Sequence, residues 1–152
     1  MTFLGYSDTT AYRAWFSAYT DENANTYRIV RTNQSNTQVL VYNGRKAGGG
    51  GTTFNASVGT TYNIKLYPDS GTINDTNITY TTTKGNQNST RISIFGNVTK
   101  LRVYNFKLTK GNTVILDLIP VRIGQIGYMY DKISNRLFSN SGSGDFILGP
   151  DI

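Results

Sequence analysis

Residues 101–121, LRVYNFKLTKGNTVILDLIPV, contain two apolar runs joined by a short turn. The runs, Leu101–Thr109 and Thr113–Val121, are rich in Leu, Ile, Val and aromatic residues, which favour strands. Between them, Lys110-Gly111-Asn112 has the composition of a hairpin turn. The stretch therefore predicts two adjacent antiparallel strands. Because both are apolar at nearly every position, we expect them to lie deep in the core.

Short runs of alternating apolar and polar residues recur elsewhere in the chain, separated by turn residues, and no segment has a convincing helical pattern. The further predicted strands are Ala11–Tyr19, Thr26–Arg31, Thr37–Tyr42, Thr61–Tyr67, Ile73–Thr83, Arg91–Phe95, Tyr128–Asp131, Arg136–Phe138 and Phe146–Leu148. The chain has 152 residues and no evident internal repeat. We therefore predict an all-β protein, a two-sheet antiparallel β-sandwich formed by a single domain over residues 1–152.

The formal net charge is +6, which taken alone suggests an anionic partner. The basic residues are scattered, however, and the tight groups are Arg45-Lys46 and the alternating Lys100 and Arg102. A nucleic-acid-binding surface normally concentrates its cations within a recognisable motif. We therefore expect no nucleic-acid partner and interpret the charge as a contribution to solubility.

The first residues lack the basic region and long apolar run of a signal peptide, and no stretch approaches the length of a membrane span. We therefore expect neither a signal peptide nor membrane insertion.

The chain contains no His and no Cys. Their absence excludes Ser-His-Asp and Cys-His catalysis and removes the usual ligands of zinc and other transition metals. The single Glu, Glu22, lies in the turn segment Thr20–Asn25, and most Asp residues lie in predicted turns, where they serve structure. Because no pair of carboxylates is placed for glycoside hydrolysis, we predict that the protein is not an enzyme.

No cofactor is predicted. Calcium is an alternative, because Asp8 and the compact group Asp21-Glu22-Asn23 carry the oxygen ligands that this ion prefers. Their spacing matches no known calcium loop, and a solvated turn explains the same residues.

The candidate binding residues surround Trp15, the only tryptophan. Alternation along Ala11–Tyr19 puts Trp15 on the strand face opposite Phe16, beside Arg13 and Tyr19. An aromatic ring with hydrogen-bonding neighbours suits a flat sugar, so Trp15, Arg13 and Tyr19 are candidate carbohydrate-binding residues. In the alternative interpretation both sheet faces are covered and Trp15 belongs to the core or to an interface.

The C-terminal third carries a distinctive series of motifs. Asp117-Leu-Ile-Pro-Val-Arg122 is followed by Gly127-Tyr-Met-Tyr-Asp131, Asn135-Arg-Leu-Phe138 and Ser143-Gly-Asp-Phe-Ile-Leu-Gly149. With the strand that begins at Leu101, this run resembles the concanavalin A-like (laminin-G-like) lectin or jelly-roll domains of gut bacterial and phage tail or fibre proteins. Its Gly, Tyr and Asp residues suit turns and a packed hairpin, so no binding role is carried over to them.

The resemblance implies a two-sheet jelly roll, often fused to tail or fibre proteins and often presumed to bind glycans. The expected function is a non-catalytic, lectin-like module of a phage or prophage virion protein that mediates surface or glycan attachment, located on the virion or outside the cell. The alternatives are a purely architectural virion or decoration protein without a ligand and a secreted bacterial adhesion domain.

The chain departs from the family at its start. Family members usually have one or two strands before the segment that resembles Thr2–Tyr6, whereas here that segment follows Met1 directly. We expect either a compact variant, a fragment, or an edge that another subunit covers. Because uncovered edges pair with other chains, the sequence predicts a homo-oligomer or contact with a neighbouring virion subunit.

Overall fold

The computed structural model describes residues 1–6, 13–19, 28–32, 38–42, 52–67, 70–79, 91–94, 99–142 and 144–149. Its strands are, in chain order, β1 (Thr2–Tyr6), β2 (Arg13–Tyr19), β3 (Arg28–Thr32), β4 (Gln38–Tyr42), β5 (Thr52–Asn55), β6 (Ile64–Leu66), β7 (Ser70–Ile73), β8 (Thr76–Thr79), β9 (Arg91–Ile94), β10 (Thr99–Arg102), β11 (Phe106–Lys110), β12 (Thr113–Ile123), β13 (Ile126–Asp131) and β14 (Arg136–Phe138). The residues described contain no helix, and the strands from β2 to β9 and from β11 to β14 pair in antiparallel registers. The predicted all-β class with antiparallel sheets is confirmed.

The chain divides into two compact units, Thr2–Leu101 and Arg102–Ile152, with Met1 grouped with the second. In the first unit, a five-stranded sheet has the order β5-β4-β3-β2-β9, a three-stranded sheet has the order β6-β7-β8, and β1 pairs with β10. In the second unit, one four-stranded sheet has the order β11-β12-β13-β14. The single domain predicted over residues 1–152 stays a prediction.

The five-stranded sheet provides the core of the first unit. Val39 and Val41 alternate along β4 and are completely buried. Phe54 on β5 lies opposite Val39, and Thr52 lies opposite Val41, so these positions share one face of the sheet. Branched and aromatic residues at alternate positions give this face the apolar surface that folding buries.

Strand β1 has two neighbours within its own unit. It pairs with β10, and the backbone N–H of Phe3 donates to the carbonyl of Thr60 at 3.1 Å. The N–H of Gly59 in turn donates to the carbonyl of Phe3 at 2.7 Å. The edge that the sequence analysis expected to be open is therefore paired at Phe3, although the predicted oligomer itself stays a prediction.

The run Ile73–Thr83, expected to form one strand, contains the end of β7, a turn and β8 instead. Strands β7 and β8 pair with Ile73 opposite Thr76, so the two residues between them form the turn. Asn74 and Asp75 have φ angles of 47° and 63°. Two successive positive φ angles define the turn type whose twist matches that of the flanking strands, and Asn and Asp tolerate it better than most residues. The end of the predicted run, 80–83, lies outside the described residues.

The hairpins predicted in the second unit are confirmed. Strands β11 and β12 pair through a turn at Gly111 and Asn112, in which Gly111 has a φ angle of 58°. Strands β13 and β14 pair around residues 132–135. The apolar run that begins at Leu101 is divided, however, because residues 103–105 separate β10 from β11.

The expected depth of this hairpin is wrong. Within β11 and β12 only Leu118 is buried, and the other residues are half-buried or exposed. The sheet has two faces that differ. Its core face carries the buried residues Leu118, Met129 and Asp131, which lie at paired or alternate positions. The opposite face, called here the tyrosine face, carries Lys107, Asp117, Ile119, Val121, Tyr128, Tyr130 and Leu137.

The C-terminal segment crosses the core face at Gly127, where the backbones approach closely. A Cβ atom at Gly127 would lie 3.1 Å from Cδ2 of Leu148 and 3.1 Å from Cβ of Phe146. Both distances are shorter than ordinary van der Waals contact. The segment containing Phe146 and Leu148, predicted as a closing strand, is irregular, but it covers this part of the core face.

Candidate functional site

Trp15 lies in an aromatic cluster inside the first unit. Its ring stacks on Phe3 with centroids 5.3 Å apart, meets Phe54 edge-on at 6.1 Å and lies 5.8 Å from Tyr62. The hydroxyl of Tyr62 accepts a hydrogen bond from the N–H of Ser57 at 2.8 Å. Trp15 is 0% exposed, and its indole Nε1 has no acceptor among the described residues.

A β-bulge at Trp15 interrupts the alternation of side chains along β2. Ala14 lies opposite Arg31 and Phe16 lies opposite Val30, so Trp15 is an extra residue in β2. A bulge sets two residues against one and redirects a side chain. Trp15 and Phe16, expected on opposite faces, are both buried, at 0% and 8% exposure.

The carbohydrate platform predicted at Trp15 is therefore corrected to the alternative interpretation, a core position. A ring without exposed surface cannot lie against a sugar. The structure describes the backbone of Arg13 and Tyr19 but not their side chains. Their predicted part in carbohydrate binding stays a prediction.

The residues considered for calcium, Asp8, Asp21, Glu22 and Asn23, lie outside the described residues. Within the part of the chain that is described, no group of three or more His, Cys, Asp and Glu side chains is placed to hold a metal ion.

Asp131, at the end of β13, organises the turn that leads to β14. Its Oδ1 atom accepts hydrogen bonds from the backbone N–H groups of Asp117 at 2.9 Å and Ile133 at 3.1 Å. Its Oδ2 atom accepts from the hydroxyl of Ser134 at 2.5 Å and from the backbone N–H of Ser134 at 3.1 Å. The Ser134 hydroxyl and then the Asp117 N–H lower the pKa of Asp131 to about 2, against the opposing effect of desolvation. This carboxylate is ionised at neutral pH and ties the turn to β12.

A row of charges crosses one end of the tyrosine face. Asp117 Oδ2 lies 3.0 Å from Lys132 Nζ and 3.5 Å from Lys107 Nζ. The hydrogen bond from Lys132 is the main reason why the pKa of Asp117 lies below its ordinary value. We call Lys107, Asp117 and Lys132 the lysine row.

Tyr130 stands beside the lysine row on the same face. It lies opposite Ile119 on one neighbouring strand and Leu137 on the other. Its hydroxyl donates to Oδ1 of Asn135 at 2.7 Å, which orients the ring. Asn135 has a φ angle of 56°, a turn conformation that Asn adopts more readily than most residues.

Two signals in the sequence could have identified this face. Tyr128 and Tyr130 are two residues apart in a predicted strand, as are Asp117 and Ile119, so each pair must share a face. The pairing of β12 with β13 then places all four on one surface. From the sequence alone, the whole motif was interpreted as structural, and its two faces were not distinguished.

No helix in the described part of the chain has both the length and the apolar composition needed to cross a bilayer. Comparison of the chain with protein-family models, curated proteins and solved structures found no match. The resemblance to lectin-like jelly rolls therefore stays a prediction.

Proposed function

We propose that the chain is a non-catalytic, lectin-like jelly-roll module of a phage or prophage virion protein, and that it attaches the particle to a glycan-bearing surface outside the cell. The support comes from the structural roles that residues of the C-terminal motifs have in the fold. Gly127 admits the closing segment, Asp131 ties a turn, and Asn135 takes a positive φ angle. These roles suit the structural part of a lectin-like framework.

The observation that carries attachment is the partial exposure of apolar and aromatic side chains on the tyrosine face. Leu137 is exposed, and Tyr128, Tyr130, Ile119 and Val121 are half-buried. Apolar and aromatic surface next to fixed charges is typical of binding surfaces on sheets.

The state of two carboxylates of the C-terminal sheet, Asp117 and Asp131, supports a non-catalytic function. Asp117 is paired with two lysines, and Asp131 accepts four hydrogen bonds. Both pKa values lie below the ordinary range, so neither group carries a proton at neutral pH. A general acid needs the opposite shift.

The second candidate is a purely architectural virion or decoration protein. The burial of Trp15 favours it, because the aromatic ring first considered for sugar binding packs in the core. The tyrosine face would then contact a neighbouring virion subunit instead of a glycan. A secreted bacterial adhesion domain would use the same face for attachment.

A glycan array probed with the folded chain, with and without calcium, separates these candidates. Attachment predicts a reproducible signal on a defined set of glycans. Near-ultraviolet circular dichroism on the same sample establishes that the protein is folded. A folded protein that gives no signal in either condition contradicts attachment and leaves the architectural function.

A further inference from the structure

The lysine row is an unusual arrangement because two cations share one anion. Lys107 lies directly opposite Asp117 in the sheet, and the backbone N–H of Lys132 donates to the carbonyl of Asp117 at 2.9 Å. Both ammonium groups approach the same oxygen atom, Oδ2 of Asp117, at 3.5 Å and 3.0 Å. They are therefore held near each other on one patch of the tyrosine face.

This patch has an excess of one positive charge and retains free hydrogen-bond donors. The side chains of Lys107 and Lys132 are 52% and 47% exposed, whereas that of Asp117 is 13% exposed. An ammonium group has three N–H donors, so each lysine keeps donors beyond the contact with Asp117. The negative charge of Asp131 belongs to the other face of the sheet, because this carboxylate is buried on the core face opposite Leu118. Asp117 thus positions the two lysines without neutralising both.

Apolar surface adjoins these charges. Ile119 follows Asp117 at the next position on the same face, with Tyr130 opposite it and Leu137 beyond. The hydrogen bond to Asn135 uses the Tyr130 hydroxyl as a donor, so the ring is held by its polar end. The surface therefore places an oriented aromatic ring beside two fixed cations.

We propose that the lysine row and Tyr130 form a binding site for an acidic saccharide, one that bears a carboxylate or sulfate group. The inference rests on the proposed attachment function and gives its ligand class and its residues. The anionic group binds Lys107 and Lys132, and the apolar side of the sugar ring lies against Tyr130. Charge complementarity selects this occupant, because one excess positive charge matches one anionic group. A nucleic acid, which is held through many phosphates, would need a longer array of cations.

The test uses the full chain and a set of matched variants. Lys132→Gln and Lys107→Gln remove one positive charge and keep much of the side-chain length. Lys110→Gln makes the same change in net charge at an exposed lysine of the same sheet outside the lysine row. Lys132→Arg keeps the charge and serves as the conservative control. The probes are sialylated, uronic-acid-containing and sulfated glycans, each beside its neutral parent, with affinities measured by calorimetry.

We expect the wild type to prefer acidic glycans over their neutral parents. Lys132→Gln and Lys107→Gln should each weaken binding about tenfold or more, because a charge-assisted contact is lost. Lys110→Gln and Lys132→Arg should remain within a few-fold of the wild type. The carboxylated and sulfated probes show which anionic group the site prefers.

Three outcomes would overturn the inference. If Lys110→Gln and Lys132→Gln lower the affinity for acidic glycans equally, the binding depends on overall charge. This result rejects the proposed site but leaves the attachment function standing. Binding to neutral glycans alone rejects the ligand class and also leaves attachment standing. A folded wild type that binds no glycan rejects both this site and the proposed function.

Discussion

Trp15 is the single tryptophan of the chain, so its fluorescence reports on one ring. Because the ring is fully buried against Phe3, Phe54 and Tyr62, we expect native emission at the short wavelength of a buried indole and little quenching by acrylamide. Unfolding in guanidinium should shift the emission to longer wavelength and restore quenching. Native emission equal to that of the unfolded chain would place Trp15 on the surface, as the carbohydrate-binding interpretation requires.

The energetic role of the same ring is tested by truncation. Trp15→Ala should lower the free energy of unfolding by about 3–5 kcal/mol, because a large buried ring leaves a cavity. Trp15→Phe should lower the free energy of unfolding by a smaller amount, since it keeps an aromatic ring in the cluster. Val58→Ala, at a position 67% exposed in the same unit, should change stability by less than about 0.5 kcal/mol. Denaturant unfolding measures all three, and equal effects of Trp15→Ala and Val58→Ala would contradict the core assignment.

Asp131 makes stability depend on acidic pH. Its pKa is about 2 in the folded protein against an ordinary value of 3.8. A lowered pKa means that its stabilising contribution is complete above the ordinary value and is lost as the pH falls towards 2. Thermal unfolding measured from pH 7 to pH 2 should therefore show that the stability of the wild type falls steeply at acidic pH.

Asp131→Asn provides the matched comparison for this pH dependence. The variant should be less stable at pH 7, because an amide nitrogen cannot accept the hydrogen bonds that Ser134 donates. The difference in stability between the variant and the wild type should become smaller as the pH falls below the ordinary pKa of the Asp131 carboxyl. Asp117, whose pKa is also lowered, is present in both proteins. Part of the loss of stability at acidic pH should therefore persist in Asp131→Asn. A difference that stays constant from pH 7 to pH 2 would exclude this role for Asp131.

At the scale of elements, Gly127 controls how the C-terminal segment closes over β13. Gly127→Ala should destabilise the second unit by about 1–3 kcal/mol, because the new methyl group overlaps Phe146 and Leu148. Gly142→Ala is the control, since a Cβ there meets its nearest atom, Oδ1 of Asn140, at 3.5 Å. Hydrogen exchange should rise in residues 145–149 in the first variant alone. Equal exchange in both variants would show that this segment does not depend on the contact.

The strands that the sequence predicted well are joined by turns whose residues are typical of turns. Gly111-Asn112 marked the turn between β11 and β12, and both strands were recognised from their apolar residues. The β7–β8 turn was missed because Asn74 and Asp75 stand within a run that otherwise resembles a continuous Thr-rich strand. Turn residues without Gly give a weaker signal, although Asn and Asp accept the same positive φ angles.

The candidate site was less predictable because it depends on register and bulges. Trp15 is an extra residue in β2, so the residues after it no longer continue the alternation of those before it, and strict alternation cannot show such a bulge. The lysine row joins residues of β11, β12 and the turn after β13, so it exists only once these strands pair. Local sequence patterns give the faces of single strands, whereas pairing between strands decides which residues meet.

At the scale of the whole molecule, the oligomeric state is a separate prediction. The sequence predicted self-association through an open edge at Thr2–Tyr6, but Phe3 already bonds to Gly59 and Thr60. If association occurs, we expect it to involve another surface. Light scattering during size exclusion at micromolar concentration measures the mass directly. A mass above one chain that survives Thr2→Pro would support another surface, and a clean monomer would contradict the predicted oligomer.

In the proposed function, the protein attaches through the tyrosine face of its C-terminal sheet, with Trp15 in the core. The most direct measurement is a titration with an acidic glycan, in which hydrogen exchange maps the footprint while tryptophan fluorescence is recorded. We expect protection in the segments containing Lys107, Asp117–Val121 and Tyr128–Leu137, with Trp15 emission unchanged. Protection confined to other segments, or an emission change that saturates with binding, would contradict attachment through the tyrosine face.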